Sequence, residues 1–200
     1  MKKAKLLTNY KEKIVLATSS NTRIKMLKEY ISEFSIQPHK IDESKFKTES
    51  KPKKSVFELA KNKALSIQND YPDHLIIGSD QILFCDNKIL SKPHTLEKAK
   101  QNLFFMRNKK HTLFSSIYVN LNGKVFYSKT TSAMLYFNNI SDKTINDYVK
   151  NNKKTVLTTV GSYRIEENQK YNFIKIIRGN KETIKGFPIK DLLKKLKVYG

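Results

Sequence analysis

The chain has 200 residues, 38% of them hydrophobic, with 39 Lys and Arg against 18 Asp and Glu for a formal net charge of +21. That is ample for one domain with a real core and too apolar for a disordered chain, and no apolar run approaches the roughly 20 residues that span a bilayer. The single cysteine, Cys85, excludes an internal disulfide and a multi-cysteine zinc site.

The N-terminal stretch MKKAKLLTNYKEK starts basic, as a leader does. Its apolar piece is only Ala4 to Leu7, interrupted by Lys5, so no secretion signal is read and a cytoplasmic location is expected. Lys13 to Ala17 (KIVLA) reads as a short buried strand. Thr18-Ser19-Ser20-Asn21 are all helix-capping residues, and Ile24, Leu27 and Ile31 follow at helical spacing. Residues 35–41 suit a second strand, and a polar, lysine-rich loop runs from Asp42 to Lys53. Val56, Leu59, Ala60, Ala64 and Ile67 mark one face of a helix over about 54–69.

Next comes HLIIGSDQILF, residues 74–84. Two apolar runs flank Gly78-Ser79-Asp80-Gln81, and the glycine and serine are read as a turn that exposes the aspartate. Asp86-Asn87-Lys88 can fold this segment back onto Ile89-Leu90. Leu96, Ala99, Leu103 and Met106 predict another helix. Residues 111–121 and 124–137, rich in β-formers around Asn122-Gly123, form the clearest hairpin signal. A short helix capped at Ser141-Asp142, a strand over Tyr171 to Ile177, and a last amphipathic helix after Gly186-Phe187-Pro188 complete the chain. Strands and helices alternate around at least one long antiparallel pair. The expected fold is α/β, a mixed sheet flanked by helices with two lobes around a cleft, and residues 1–200 are read as one domain.

The bases are mostly lysines spread along the whole chain, with no basic block or tail. Solvated lysine-rich faces account for them better than a nucleic-acid interface does. The residual positive potential would still attract polyanions such as nucleoside triphosphates.

Several short stretches can carry chemistry. In ATSSNTR (residues 17–23) a polar strand-to-helix turn offers backbone N–H groups, and Arg23 can fork onto a phosphate; a plain cap with a surface arginine would look the same. Asp42-Glu43 is one of few acidic spots and can share a magnesium ion with phosphate oxygens. Lys63 borders the apolar face of its helix, whereas Lys61 faces solvent. Asp80 can serve as a metal ligand or general base, or as a hydrogen-bonded turn residue. Lys92, held before Pro93, can reach into a cleft as a phosphate clamp. Gly161-Ser162-Tyr163 reads as a turn entering a strand.

Together and in order, ATSSNTRIKML, IDE, ELAKNKA, LIIGSDQ, SKP, VGSYRIE and KGFPI resemble the motifs of the Maf family of nucleoside triphosphate pyrophosphatases, from about residue 13 to residue 196. The resemblance implies a mixed α/β fold with a cleft. It also implies hydrolysis of a nucleoside triphosphate between the α and β phosphates, giving the monophosphate and pyrophosphate, and a divalent metal, magnesium or manganese. Family members often form homodimers, so a second copy of the chain is an implied partner; neither a membrane nor a nucleic acid is. By position, Ser20 and Arg23 match the phosphate-binding turn. Glu43 matches the acidic residue of the second motif, Lys63 the helix lysine, Asp80 the proton acceptor and Lys92 the lysine before proline. Glu43 and Asp80 are the implied metal ligands.

Three positions associated with base choice in the family fall at Thr22, Gln81 and Glu166. This trio resembles the subfamily acting on 7-methyl-GTP more than the one acting on dTTP and UTP, which is the alternative. A carboxylate at Glu166 can accept the N1–H and N2–H donors of a 7-methylated guanine and favour its charge. Two departures stand out. The proline usual in the first motif is replaced by Asn21, which can cap the helix instead. The usual glycine after the third base-choice position is replaced by Glu167. A rival reading of a different class is a basic nucleic-acid-binding protein without catalysis, which the net charge alone would also fit.

Overall fold

A computed structural model describes residues 5–6, 13–46, 50–196 and 198–199. Most of the basic opening stretch weighed as a leader lies outside them, as do residues 47–49 of the lysine-rich loop. No helix among the described residues is long and apolar enough to cross a membrane.

Strand β1 (Lys5–Leu6) is followed by β2 (Ile14–Ala17), every residue of which is buried. Helix α1 (Asn21–Lys28) starts after Ser20, the N-cap, so Asn21 is its first helical residue and not its cap. The second expected strand is reduced to β3 (Ser35–Ile36), and a 3-10 turn over Glu43–Phe46 opens the loop that follows. Helix α2 (Pro52–Leu65) begins with a proline at its first position, where the missing N–H costs nothing.

Strand β4 (Leu75–Cys85) runs eleven residues without a break. Gly78-Ser79 is therefore not a turn. Strand β6 (Lys109–Leu121), introduced by β5 (Lys88–Leu90) and α3 (Leu96–Met106), pairs antiparallel with β4 from Leu75↔Leu121 to Phe84↔Thr112 and holds the stretch extended throughout. Gly78 serves close approach instead. A Cβ there would lie 2.1 Å from the Ala60 carbonyl oxygen and 2.8 Å from the Ala64 nitrogen, so glycine lets α2 lie directly on the strand.

The predicted hairpin joins β6 to β7 (Lys124–Phe137), with Asn122 and Gly123 both at positive φ as a tight two-residue turn requires. Helices α4 (Asp142–Asn151) and α5 (Lys153–Thr158) follow. The Gly161-Ser162-Tyr163 turn leads not into a strand but into a 3-10 turn (Ile165–Glu167) and α6 (Asn168–Tyr171). Strand β8 (Ile174–Arg178), α7 (Lys181–Lys185), α8 (Lys190–Lys195) and β9 (Val198–Tyr199) complete the order.

The main sheet runs β3-β2-β4-β6-β7-β8, with β5 on the edge of β4, and β1 pairs with β9 apart from it. β2 is parallel to both β3 and β4, and the other pairs are antiparallel. The sheet is thus mixed, as the alternation of elements implied.

Two large apolar clusters occupy its two ends. One gathers Leu16, Leu27, Leu75, Ile77, Phe187 and Leu192; the other gathers Leu83, Cys85, Leu103, Phe137, Tyr148 and Phe173. Strand β4 contributes its first residues to one cluster and its last to the other. The polar residues at its centre fall between the two lobes.

Candidate active site

The register of β4 creates an opening. On one side, β2 pairs with it only as far as Ala17↔Gly78, and β5 begins only at Leu83↔Leu90. Ser79 to Ile82 therefore have no strand neighbour on that side. Around this gap lies a pocket lined by Ser20, Thr22 and Arg23, which follow β2, and by Ser91 and Lys92, which follow β5. Asp80, Gln81 and Glu43 also line it. A chain leaving a parallel strand at this point passes directly into the helix start, which is why the predicted phosphate-binding turn sits at the pocket's edge.

Alternation along β4 sends neighbouring side chains to opposite faces. Ile76, Gly78, Asp80 and Ile82 face α2; Ser79 and Gln81 face the C-terminal end of α7 and Gly186 beyond it. Lys63, on the buried face of α2, is 3% exposed and Asp80 6%. The Lys63 ammonium donates to Asp80 Oδ1 at 2.6 Å and lies 2.8 Å from Glu43 Oε1. Two carboxylates distant in sequence thus share one ammonium. Glu43 also meets His39 at 3.4 Å. A buried charge is tolerable here because it is paired.

Arg23 lies on the other side of Asp80, with Nη2 4.0 Å from Oδ1, and its Nε donates to the Gly186 carbonyl at 3.1 Å. Burial lowers the Arg23 pKa, and Asp80 and Glu43 oppose that shift. Lys92 is exposed and lines the pocket; partial burial, then the neighbouring Arg23, lowers its pKa. Ser20 and Thr22 are half-buried at the rim. The Ser20 N–H donates to Thr18 Oγ1 at 3.1 Å, and its hydroxyl makes no capping bond. Ser20, Arg23, Glu43, Asp80 and Lys92 therefore border one pocket, and Lys63 stands behind it, bound to Asp80 and Glu43.

The base-choice positions behave differently from one another. Glu166 lines the pocket with Oε1 3.1 Å from Lys185 Nζ. The Gln81 amide donates to the carbonyls of Thr183 and Ile184, both at 2.9 Å, so its donors are committed to the backbone of α7. Glu167, the departure from the family glycine, turns away and accepts a hydrogen bond from the Tyr148 hydroxyl. Its φ of −92° suits any residue, so no glycine is needed there.

Apolar residues complete the far wall: Leu90, Leu113, Val160 and Ile184, with Tyr163. Tyr163 is fixed from behind by His111, whose Nε2 lies 2.6 Å from the hydroxyl. Burial holds His111 down to a pKa of about 4. Reading the sequence did not single out His111, Tyr163's role as wall, or Lys185. Lys185 was within reach, since it precedes Gly186 in the KGFPI stretch already noted. His111 carries no local signal, as it lies 52 residues from its partner.

No group of three or more His, Cys, Asp or Glu side chains among the described residues is arranged to hold a metal ion. The pair Glu43 and Asp80 fits a hard divalent cation in a more limited way. Both present carboxylate oxygens to one cationic centre, now the Lys63 ammonium, and the remaining ligands would be substrate oxygens and water.

Residues 13–199 match the family model for Maf-like proteins. A nucleoside triphosphate pyrophosphatase of Pelagibacter ubique is 31% identical over 193 residues, covering 94% of this chain and 98% of the relative. One of the same name from Legionella pneumophila strain Lens is also 31% identical, covering 94% and 95%. A 7-methyl-GTP pyrophosphatase of Bartonella henselae is 31% identical over 191 residues, covering 94% and 96%.

Proposed function

The chain belongs to the Maf family, and we propose that it is a nucleoside triphosphate pyrophosphatase, cleaving the α–β anhydride to a nucleoside monophosphate and pyrophosphate. The observation that carries this is the convergence of Lys63, Asp80, Glu43, Arg23 and Lys92 on one gap in the sheet. A triphosphate is strongly anionic, and this pocket is rich in cations that are already in place, which lowers the cost of organising them at reaction.

In this reading Arg23 and Lys92 bind the phosphates, and Lys63 divides its ammonium between them and Asp80. As the phosphates draw Lys63, the Asp80 carboxylate is freed to take the proton of the attacking water. The water oxygen bonds to phosphorus as the α–β anhydride bond breaks, giving the monophosphate, and pyrophosphate leaves. Glu43 and Asp80 would hold a magnesium or manganese ion, which when bound neutralises phosphate charge and lowers the pKa of water. Ser20 supports the phosphates at the start of α1.

The finer reading is a modified guanine nucleotide such as 7-methyl-GTP. It is supported by Glu166 at the pocket wall and by the name of the Bartonella relative. dTTP or UTP is the alternative within the family. The site draws on residues from Ser20 to Lys185, which supports reading residues 1–200 as one domain. The same reading places the protein in the cytoplasm, without a nucleic-acid partner, and expects a homodimer.

The test is a panel of canonical and modified triphosphates, with 7-methyl-GTP, dTTP and UTP among them, assayed for pyrophosphate with magnesium, with manganese, and with a chelator. Metal-dependent pyrophosphate release is expected, highest on 7-methyl-GTP. Absence of release on every member would sink the activity; highest release on dTTP or UTP would move the chain to the other subfamily.

A further inference from the structure

We infer that Lys185 is a specificity-determining residue, and that the Glu166–Lys185 pair selects nucleotides whose base carries a carbonyl beside a ring N–H. The inference rests on reading the pocket as a nucleotide site.

Glu166 Oε1 and Lys185 Nζ lie 3.1 Å apart, both side chains are partly exposed, and both line the pocket that holds Asp80 and Arg23. Side by side they present an obligate acceptor and an obligate donor. A carboxylate cannot donate, and an ammonium cannot accept. The matching edge on a base is an adjacent acceptor and donor in the complementary order. Guanine offers O6 and N1–H, uracil and thymine O4 and N3–H, and hypoxanthine O6 and N1–H. Adenine and cytosine offer the reverse, an exocyclic amine beside an unprotonated ring nitrogen. In the same seat the amine would face the Lys185 ammonium and the ring lone pair would face the Glu166 carboxylate.

The seat itself is held. Lys185 ends α7, and that end is fastened by four hydrogen bonds, three from β4 and one from α1. Gln81 donates to the Thr183 and Ile184 carbonyls, Ser79 Oγ donates to the Gly186 carbonyl at 3.2 Å, and Arg23 Nε donates to the same oxygen. Gly186 takes φ +84°, and a Cβ there would lie 3.0 Å from the Gln81 side chain. The phosphate-side arginine and the base-side lysine are thereby referred to one carbonyl. Gln81 is then a positioning residue, acting on base choice through Lys185 rather than by touching the base. The pair also leaves Glu166 less available to a cationic base than an isolated carboxylate would be.

The experiment measures binding of the α,β-methylene analogues of GTP, UTP, ATP and CTP by calorimetry, with tripolyphosphate as a probe of the phosphate side. The proteins are wild type, Lys185→Met and the double variant Glu166→Lys/Lys185→Glu. The wild type should prefer the GTP and UTP analogues by roughly tenfold or more. Lys185→Met should remove most of that preference, and the double variant should reverse it toward the ATP and CTP analogues. Equal binding of all four analogues to wild type, or a preference unmoved in both variants, overturns the inference and leaves the pyrophosphatase reading standing. If neither the analogues nor tripolyphosphate bind, the nucleotide reading falls and takes this inference with it.

Discussion

Lys63 on α2 and Asp80 on β4 form a buried ion pair of 2.6 Å, and the absence of a side chain at Gly78 is what lets the two elements come that close. The catalytic proposal and the packing of the sheet therefore depend on the same contact.

Asp80→Asn keeps the size and shape of the side chain but removes the base. We expect pyrophosphate release to fall at least roughly a hundredfold, the ordinary worth of a positioned general base. The circular-dichroism melting curve should stay close to wild type, since Lys63 keeps Glu43 as a partner. Turnover near wild type would remove Asp80 from the reaction.

Lys63→Met should cost both activity and stability. It leaves Asp80 buried, with Arg23 at 4.0 Å as its nearest remaining cation. Stranding one member of a buried pair costs on the order of 3 kcal/mol, and Arg23 should offset part of that. Denaturant unfolding measures it. Lys61→Met, on the less buried side of the same helix, should change little.

Gly78→Ala adds one methyl group where the Ala60 carbonyl stands 2.1 Å away. The methyl can be accommodated only if α2 lifts from β4. Overpacking of this kind costs roughly 1–3 kcal/mol. Because Lys63 rides on α2, turnover should fall as well, although Gly78 does not line the pocket. A fully active, fully stable variant would show that the helix can move without disturbing the pair.

His111 contributes a pH dependence of stability. Its folded pKa is about 4, depressed from 6.5 by burial, while the unfolded chain titrates near the ordinary value. Between these values the unfolded state binds the extra proton. The stability from burying a neutral imidazole is thus complete above about pH 6.5. It is lost as the pH falls toward 4, at up to roughly 1.4 kcal/mol per pH unit. Urea midpoints from pH 7 to 4 should decline more steeply for wild type than for His111→Gln, which has no such proton to bind.

Most of the scaffold was legible from pattern alone. The 3.6-residue spacing of Val56, Leu59, Ala60 and Ala64 located α2, and Asn122-Gly123 located the long hairpin, because burial and turn sterics act over a few residues. The same locality misled at Gly78-Ser79. A polar insert between apolar runs looks like a turn when neighbouring strands are unknown, and only pairing with β6 across its whole length shows it to be strand. The strand expected at residues 35–41 shrank to two residues for a related reason: β2 offers it only Val15 and Leu16 as partners.

The site divides in the same way. Residue types and their order already pointed to Arg23, Glu43, Lys63, Asp80 and Lys92, since triphosphate chemistry needs cations around carboxylates. The strand ends at Ala17 and Leu90 were legible, but nothing in that order could say that β2 and β5 pair along the same side of β4 and leave a gap between them. Nor could it say that Gln81 spends its amide on α7, that Glu167 turns to Tyr148, or that Lys185 comes to face Glu166. Composition and periodicity are local properties of a chain. Contacts between residues 17 to 163 positions apart depend on which strands pair and in what register, and in this protein that register places the chemistry.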